Sequence, residues 1–408
     1  MERYGEYKDS GIQWIGEIPS HWDTKRLKYC VLNIREKSLS SDKIGLENIV
    51  SYSGEFVETG TKYEGDGIDV RKDDVLYGKL RPYLAKVWLS DRSCNAIGDF
   101  YVFRPIQYYL LAGFAKWLFL SDGFTQICSA STYGAKMPRV SYEFMSTLFL
   151  PLPPLSEQER IVKFLEGKVL KIDEYIVDKE REIQLLKELK EAEIAKAVTQ
   201  GLNPNVKMKD SGIPWIGMIP EHWETTKINS VFKERREKVS DKIYPPLSVS
   251  KQGITPQLES AVKTDNGDNR KKVNEGDFVV NSRSDRKGSC GISPYTGSVS
   301  LINIVLQPRS DIEGKYFHFL FRSNNYIEEY YRIGRGIVAD LWTTRYSEMR
   351  NIIVPIPPIG EQRAIVTHIE SKCVKVNTLI TELEAEIEHL KEYKQRLIAD
   401  CVTGQIKV

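Results

Sequence analysis

Lys8–Trp22 reads KDSGIQWIGEIPSHW, and Lys209–Trp223 reads KDSGIPWIGMIPEHW. Twelve of those fifteen positions are identical. Repetition on this scale decides the architecture before any single element is assigned. A second pair follows: PLPPLSEQERIVKFLEGKVLKID from Pro151 and PIPPIGEQRAIVTHIESKCVKVN from Pro355. The chain is therefore two copies of one plan. Each copy is an opening W-I-G-x-I-P-x-H-W motif, a variable stretch, then P-x-P-P and a long charged segment.

The charged segments read as helices. Proline at the start fixes φ where a missing N–H costs little. Ser156 with Glu159 has the spacing of a capping box, which Gly360 and Arg363 do not repeat. From Glu157 to Thr199 there is no proline and one glycine. In the second copy, Ile369, Cys373, Val376, Ile380, Leu383, Ile387, Leu390, Leu397 and Cys401 step by fours and threes, with Lys394 in the one gap. That is a heptad seam. The first copy keeps it at Leu165, Val169, Ile172, Ile176, Ile183, Leu186 and Ala197, but places Lys179, Lys190 and Glu193 in it. At ~1.5 Å per residue such a segment is a rod of about 65 Å, and two rods in one chain most simply bury their seams together. Lys190 and Lys394 are equivalent seam positions, either snorkelling cations or polar positions that fix register.

Residues 23–150 and 224–354 diverge far more than the repeats around them. Each mixes β-type runs (Val75–Tyr77, Phe100–Phe103, Asp277–Val280, Ser300–Leu306) with a helical stretch (Tyr108–Ser121, Gly314–Tyr331), divided by turns such as Gly65-Asp66-Gly67 and Asn266-Gly267. The expected fold is α+β: two similar mixed α/β domains separated by two long helices packed as an antiparallel coiled coil, with a pseudo-two-fold internal repeat. The boundaries are 1–153, 154–202, 203–354 and 355–408.

The formal charge of +2 is no argument for nucleic acid. Residues 1–150 hold 19 basic and 19 acidic side chains, and 203–354 hold 23 and 18. More telling are the turns where basic, aromatic and amide side chains crowd. The first domain has Tyr77-Gly78-Lys79-Leu80-Arg81-Pro82-Tyr83, then Tyr133-Gly134-Ala135-Lys136-Met137-Pro138-Arg139. The second has Asn281-Ser282-Arg283-Ser284-Asp285-Arg286-Lys287-Gly288, then Arg335-Gly336 and Thr343-Thr344-Arg345. Arginine and lysine hold phosphates or guanine edges, and asparagine bonds adenine edges. One such cluster is an ordinary solvated loop, but two per domain in corresponding order point to a DNA-facing surface. The candidate contacts are Lys79, Arg81, Tyr83, Lys136 and Arg139, then Asn281, Arg283, Arg286, Lys287 and Arg345.

No catalytic, cofactor or metal site is expected. His21 and His222 lie between a proline and a tryptophan with no nucleophile to place beside them, so packing of Trp14, Trp22, Trp215 and Trp223 is the better reading of the motif. A phosphate-binding G-x-x-x-x-G-K-[ST] loop and a G-x-G-x-x-G loop are absent. Tyr244-Pro245-Pro246 and Ile356-Pro357-Pro358 lack the acidic or amide residue that amino-methyltransferases place before two prolines. Six cysteines show no C-x-x-C spacing, so reduced, mostly buried thiols are expected. The apolar runs are too short for a membrane span, and the polar Met1–Lys8 is no signal peptide, so a cytoplasmic protein is expected.

The arrangement resembles the specificity subunits of type I restriction–modification systems. The carrying motifs are the two W-I-G-x-I-P-x-H-W segments, Leu76–Tyr83, Asn281–Gly291, Pro151–Val162 and its copy from Pro355. The resemblance implies two target-recognition domains, each reading one half of an asymmetric, two-part double-stranded DNA site. It implies two methyltransferase subunits docked on the helical regions and two restriction subunits in the full complex, with this chain non-catalytic. A stand-alone enzyme, a coiled-coil adaptor without DNA, and a silent exchangeable specificity cassette are the competing readings.

Overall fold

The computed structural model describes residues 2–38, 40–134, 136–257, 267–309, 312–336 and 342–408. Ala135 and Asn266 of the turns above thus lie outside the described residues. Two compact units emerge: Met1–Glu180 with Glu384–Val408, and Arg181–Leu383.

The first unit is built on an antiparallel sheet in the order Val31–Ile34, Phe100–Pro105, Val75–Gly78, Val87–Leu89. Side chains alternate along a strand. Val75, Tyr77 and Phe103 therefore join the core of helices Ala112–Leu120 and Asp122–Ala130. Leu76, Phe100 and Val102 point the other way, into a core shared with a second sheet of Lys37–Ser38, Gly67–Val70, Cys94–Ala96 and Lys43–Ile44.

The second unit repeats the plan with Phe232–Glu234, Asn303–Pro308, Phe278–Asn281 and Cys290–Ile292. Phe278 and Val280 meet helices Gly314–Arg322 and Asn324–Arg332, whereas Val279 faces the opposite core. The expected single helix Gly314–Tyr331 is thus two, broken where Ser323 takes extended geometry (φ −67°, ψ 142°). The Tyr108–Ser121 helix starts only at Ala112.

Asp74 and Asp277 stand at the start of equivalent strands, each accepting a backbone amide three residues back and a two-pronged arginine. The arginine comes from different places, Arg104 within strand Phe100–Pro105 in one unit and Arg235 just after strand Phe232–Glu234 in the other.

The charged segments are helices Leu155–Gln200 and Ile359–Val402. Because the first starts at Leu155, Ser156 is not its N-cap. The amides of Glu157 and Gln158 bond the Pro154 carbonyl instead. In the first unit Lys394 Nζ lies 2.5 Å from Asp173 Oδ1, and Lys179 Nζ lies 3.4 Å from Glu386 Oε2. In the second, Lys190 Nζ donates to Asn377 Oδ1 at 2.9 Å. Partner numbers fall as helix numbers rise, so the pairing is antiparallel. Leu165, Val169, Ile176 and Ile183 are buried, as are Ile369, Ile380, Ile387 and Leu397. Glu193 is exposed, however, and Ile194 beside it packs into the second unit's core.

Asp173 and Asn377 are equivalent in the repeat, so each seam lysine of one helix meets the same position of the other. Lys394 is 8% exposed, and removing its carboxylate strands a largely buried cation. Asp173→Ala is expected to cost about 1–3 kcal/mol, read as a lower denaturation midpoint. The apolar pair Asp173→Leu with Lys394→Met should recover most of that loss. Equal stability of wild type and Asp173→Ala would show that the seam does not depend on the pair.

Each globular core is closed by the last turn of the other copy's helix. Leu397, Ile398, Cys401 and Val402 join Trp22, Ile18 and Leu27 in the first unit's core. Ala197 and Val198 join Trp223, Ile219 and Ile228 in the second. The opening motif forms the clasp. Gly404 (φ +75°) sits so close that an added Cβ would lie 2.4 Å from Pro19 Cδ and 3.1 Å from Trp22. At Gly201 (φ +74°) it would lie 3.1 Å from Trp223. Both tryptophans are fully buried, which supports the packing reading of the motif.

The motif histidines are tied to the starts of the long helices. His21 Nε2 is 2.9 Å from Glu157 Oε2, and His222 Nε2 is 2.6 Å from Glu361 Oε1. Trp223 Nε1 donates to Glu361 at 2.9 Å, and Tyr4 donates to Glu157. Burial alone would raise the Glu157 carboxyl, but hydrogen bonds from Tyr4 and His21 outweigh it and hold the group below its usual range. The next residue in each copy, Gln158 or Gln362, accepts an amide from the helical layer, Leu111 N or Glu313 N, and donates to a proline carbonyl. Each histidine ring thus has a glutamate at a helix start as a polar partner.

His318, on the Gly314–Arg322 helix, has a buried Nδ1 with no hydrogen-bond partner among the described residues. Burial, with Arg322 and Lys315 nearby, pushes its pKa down from 6.5 to about 4. Above pH 6.5 it is neutral in both folded and unfolded chains. Below that, the unfolded chain takes up a proton that the folded imidazole refuses until about pH 4. The second unit should therefore lose stability progressively as pH falls from 6.5 to 4, and His318→Phe should remove that component. A pH series of denaturation midpoints checks this; identical slopes in both proteins would refute it.

Candidate nucleic-acid interface

The two basic turns of each domain, some fifty residues apart in sequence, become one surface. In the first domain Leu80 bridges Arg139, and Tyr133 bridges the same residue. The Arg81 amide bonds the Pro138 carbonyl at 2.7 Å, and the Val140 amide bonds the Lys79 carbonyl at 3.1 Å. In the second domain Arg283 and Arg335 both bridge Thr343, and the Thr344 amide bonds the Ser282 carbonyl at 3.0 Å. The same three-part knot thus forms twice from unlike residues.

In the first knot, a short 3-10 turn, Pro82–Leu84, is bracketed by Arg81 (φ 50°) and Ala85 (φ 44°), both left-handed. Non-glycine residues reach that region only at a cost of about 1–3 kcal/mol each. The turn is gripped by Tyr52, whose hydroxyl donates to the Tyr83 carbonyl and whose amide bonds Ala85 O. It presents Arg81 to solvent and leaves Tyr83 46% exposed. In the second knot the 3-10 turn is Ser284–Arg286, and the left-handed position falls on Gly288 (φ +72°), so no such strain arises.

The candidate cations fall into two groups. Arg81, Lys136 and Arg345 are exposed, and their side chains make no ion pair or hydrogen bond with a described residue. The others are held. Arg139 makes a two-pronged contact with Asp99 at 3.0 and 2.8 Å, and Lys79 lies 3.8 Å from the same carboxylate. Arg283 and Arg286 flank Asp285 at 3.0 and 3.6 Å, and Lys287 pairs with Glu328 at 3.0 Å. Asn281 is half-buried, and its Oδ1 caps the Arg283 amide at 3.2 Å. Asp99 and Glu328 were not legible as part of the surface, because nothing in their local sequence points to partners forty residues away.

Among the described residues, no cluster of three or more His, Cys, Asp or Glu side chains has metal-binding geometry. All six cysteines are free; five are buried. No helix of the described residues is long and apolar enough to cross a membrane.

The family model for the type I restriction modification DNA specificity domain matches residues 19–184 and again 220–389. The chain belongs to that family. Each match starts inside a clasp motif and ends within a long helix, so the family unit is one copy of the repeat. A putative type I restriction enzyme MjaX specificity subunit of Methanocaldococcus jannaschii is 26% identical, over 97% of this chain and 96% of its own length. The EcoBI specificity subunit of Escherichia coli is 22% identical, covering 85% and 77%. A chain solved in a study of complex assembly and conformational transition of the type I R-M system superposes with a TM-score of 0.74 at 19% identity, over 95% of this chain and 99% of that one. The HsdS subunit from Thermoanaerobacter tengcongensis gives 0.55 at 18%, over 99% and 100%. These likenesses place the specificity-family fold along nearly the whole chain, coiled-coil helices included.

Proposed function

We propose that this chain is the DNA-reading specificity subunit of a type I restriction–modification complex and itself carries no catalytic step. The observation that carries the reading is the twice-formed basic knot in a chain built from two specificity-family units. The knots share geometry but not residues, so the two recognition domains, 1–153 and 203–354, read different half-sites of an asymmetric, interrupted sequence. The helical regions, 154–202 and 355–408, set the gap. They also carry exposed apolar side chains at equivalent positions: Leu170 and Val374, Tyr175 and Leu379, Leu189 and Tyr393. Exposed apolar side chains recurring at equivalent helical positions suit two identical partners. These partners are methyltransferase subunits that flip an adenine for N6 methylation, with two ATP-dependent restriction subunits completing the complex.

Mapping methylated adenines across the host genome, with and without this gene, tests the reading. Loss of methylation at one interrupted, asymmetric motif is expected. Exchanging residues 23–150 for those of a relative should alter one half of that motif only. An unchanged map would leave the silent-cassette or adaptor reading.

A further inference from the structure

Lys79, Arg139, Arg283, Arg286 and Lys287 are each restrained by a carboxylate on the recognition surface. Asp99 and Asp285 are partly exposed, at 21% and 39% of their side-chain area. Exposed ion pairs add little to stability, because fixing two long side chains offsets most of the attraction. Yet three carboxylates hold five of the candidate cations: Asp99 holds Lys79 and Arg139, Asp285 holds Arg283 and Arg286, and Glu328 holds Lys287. The two domains arrive at this separately. Asp99 lies just before strand Phe100–Pro105, whereas Asp285 lies inside the basic turn itself.

We propose that Asp99 and Asp285 are specificity-setting positioning residues that discount generic phosphate attraction. A DNA phosphate that takes the Nε–Nη2 edge of Arg139, or the Nε of Arg283, must displace a carboxylate oxygen already bound there. Every sequence pays that displacement. A matched half-site recovers it, because a guanine edge offers a fixed pair of acceptors and a correct fit adds the remaining base contacts. Arg81, Lys136 and Arg345, unpaired among the described residues, supply the initial attraction. This inference rests on the DNA-reading function above and adds how the surface discriminates.

The test uses the chain assembled with its methyltransferase partner. Binding is measured to a duplex carrying the mapped motif and to a scrambled duplex, over a series of salt concentrations. Asp99→Asn and Asp285→Asn keep the side-chain shape and remove the charge. Each is expected to raise affinity for the scrambled duplex about three- to tenfold at low salt. Each should also steepen the dependence of log affinity on log salt by up to about 0.9 per cation released. Affinity for the motif should rise less, so discrimination falls. A carboxylate that merely shapes its turn would give unchanged or weaker scrambled-duplex binding with the same salt slope, and that result overturns the proposal. Thermal melting accompanies both variants; should Asp99→Asn fail to fold, Asp285→Asn, on an exposed turn, decides alone. If the wild-type complex does not prefer the motif at all, the DNA-reading function falls and this inference with it. A preference retained unchanged by the variants removes only the inference.

Discussion

Trp22→Ala is expected to lower the melting temperature of the first unit by about 6–20 °C. The indole is fully buried, and truncating such a side chain costs about 3–5 kcal/mol through the forfeited transfer energy and the cavity left behind. In a unit of this size each kcal/mol moves the midpoint by about 2–4 °C. The effect should be large here because Trp22 joins segments from both ends of the chain. It packs beside Ile18 and Leu27 and against the turn at Gly404, where Tyr7 OH also bonds the Gly404 carbonyl at 2.9 Å. Gly404→Ala should reproduce part of the loss, since its Cβ would collide with Pro19. His21→Ala, by contrast, removes one half-exposed hydrogen bond and should leave adenine methylation intact. A Trp22→Ala protein that melts like wild type would mean that the helix end is not what closes the core.

Arg81→Ala with Lys136→Ala is expected to weaken DNA binding by the assembled complex about ten- to a hundredfold at moderate salt, with loss of methylation at the motif. Both side chains are exposed and without an ion-pair partner among the described residues, so no internal interaction compensates for their removal. For every phosphate that a removed cation would have neutralised, the slope of log affinity against log salt should flatten by about 0.9. If Arg81 reads a base edge, discrimination at one base pair of one half-site should relax as well, by about 1–3 kcal/mol. Arg345→Ala should act the same way on the other half-site. Footprinting and binding to duplexes mutated in either half distinguish these outcomes. Equal weakening on every duplex would make all three residues phosphate ligands only, and no weakening would remove this surface from the interface.

The repeat was legible because duplication preserves what packing demands. The clasp tryptophans, the glutamate–glutamine pair at each helix start and the apolar heptads all recur in order. The basic turns were visible as four separate clusters. Their union into two knots was not, because the bridges from Leu80 to Arg139 and from Arg283 to Thr343 join residues about sixty apart. Periodicity has nothing to say about such pairings. A missed signal lay in plain sight: Ala197-Val198-Thr199 and Cys401-Val402-Thr403 end the two long helices alike, marking the turns that the clasps hold.

The sequence by itself determined the two-copy plan, the α+β class, the long heptad helices and the basic, aromatic and amide composition of the turns proposed to meet DNA. Those features follow from local spacing, which side-chain alternation and the helical period translate directly into buried faces. Only the tertiary structure decided that each domain is closed by the last turn of the other copy's helix. It alone decided, too, which cations are held by Asp99, Asp285 and Glu328 and which have no ion-pair partner among the described residues. The physical reason is that core closure and ion pairing depend on distances of a few ångströms between segments far apart in the chain, and no local pattern encodes them.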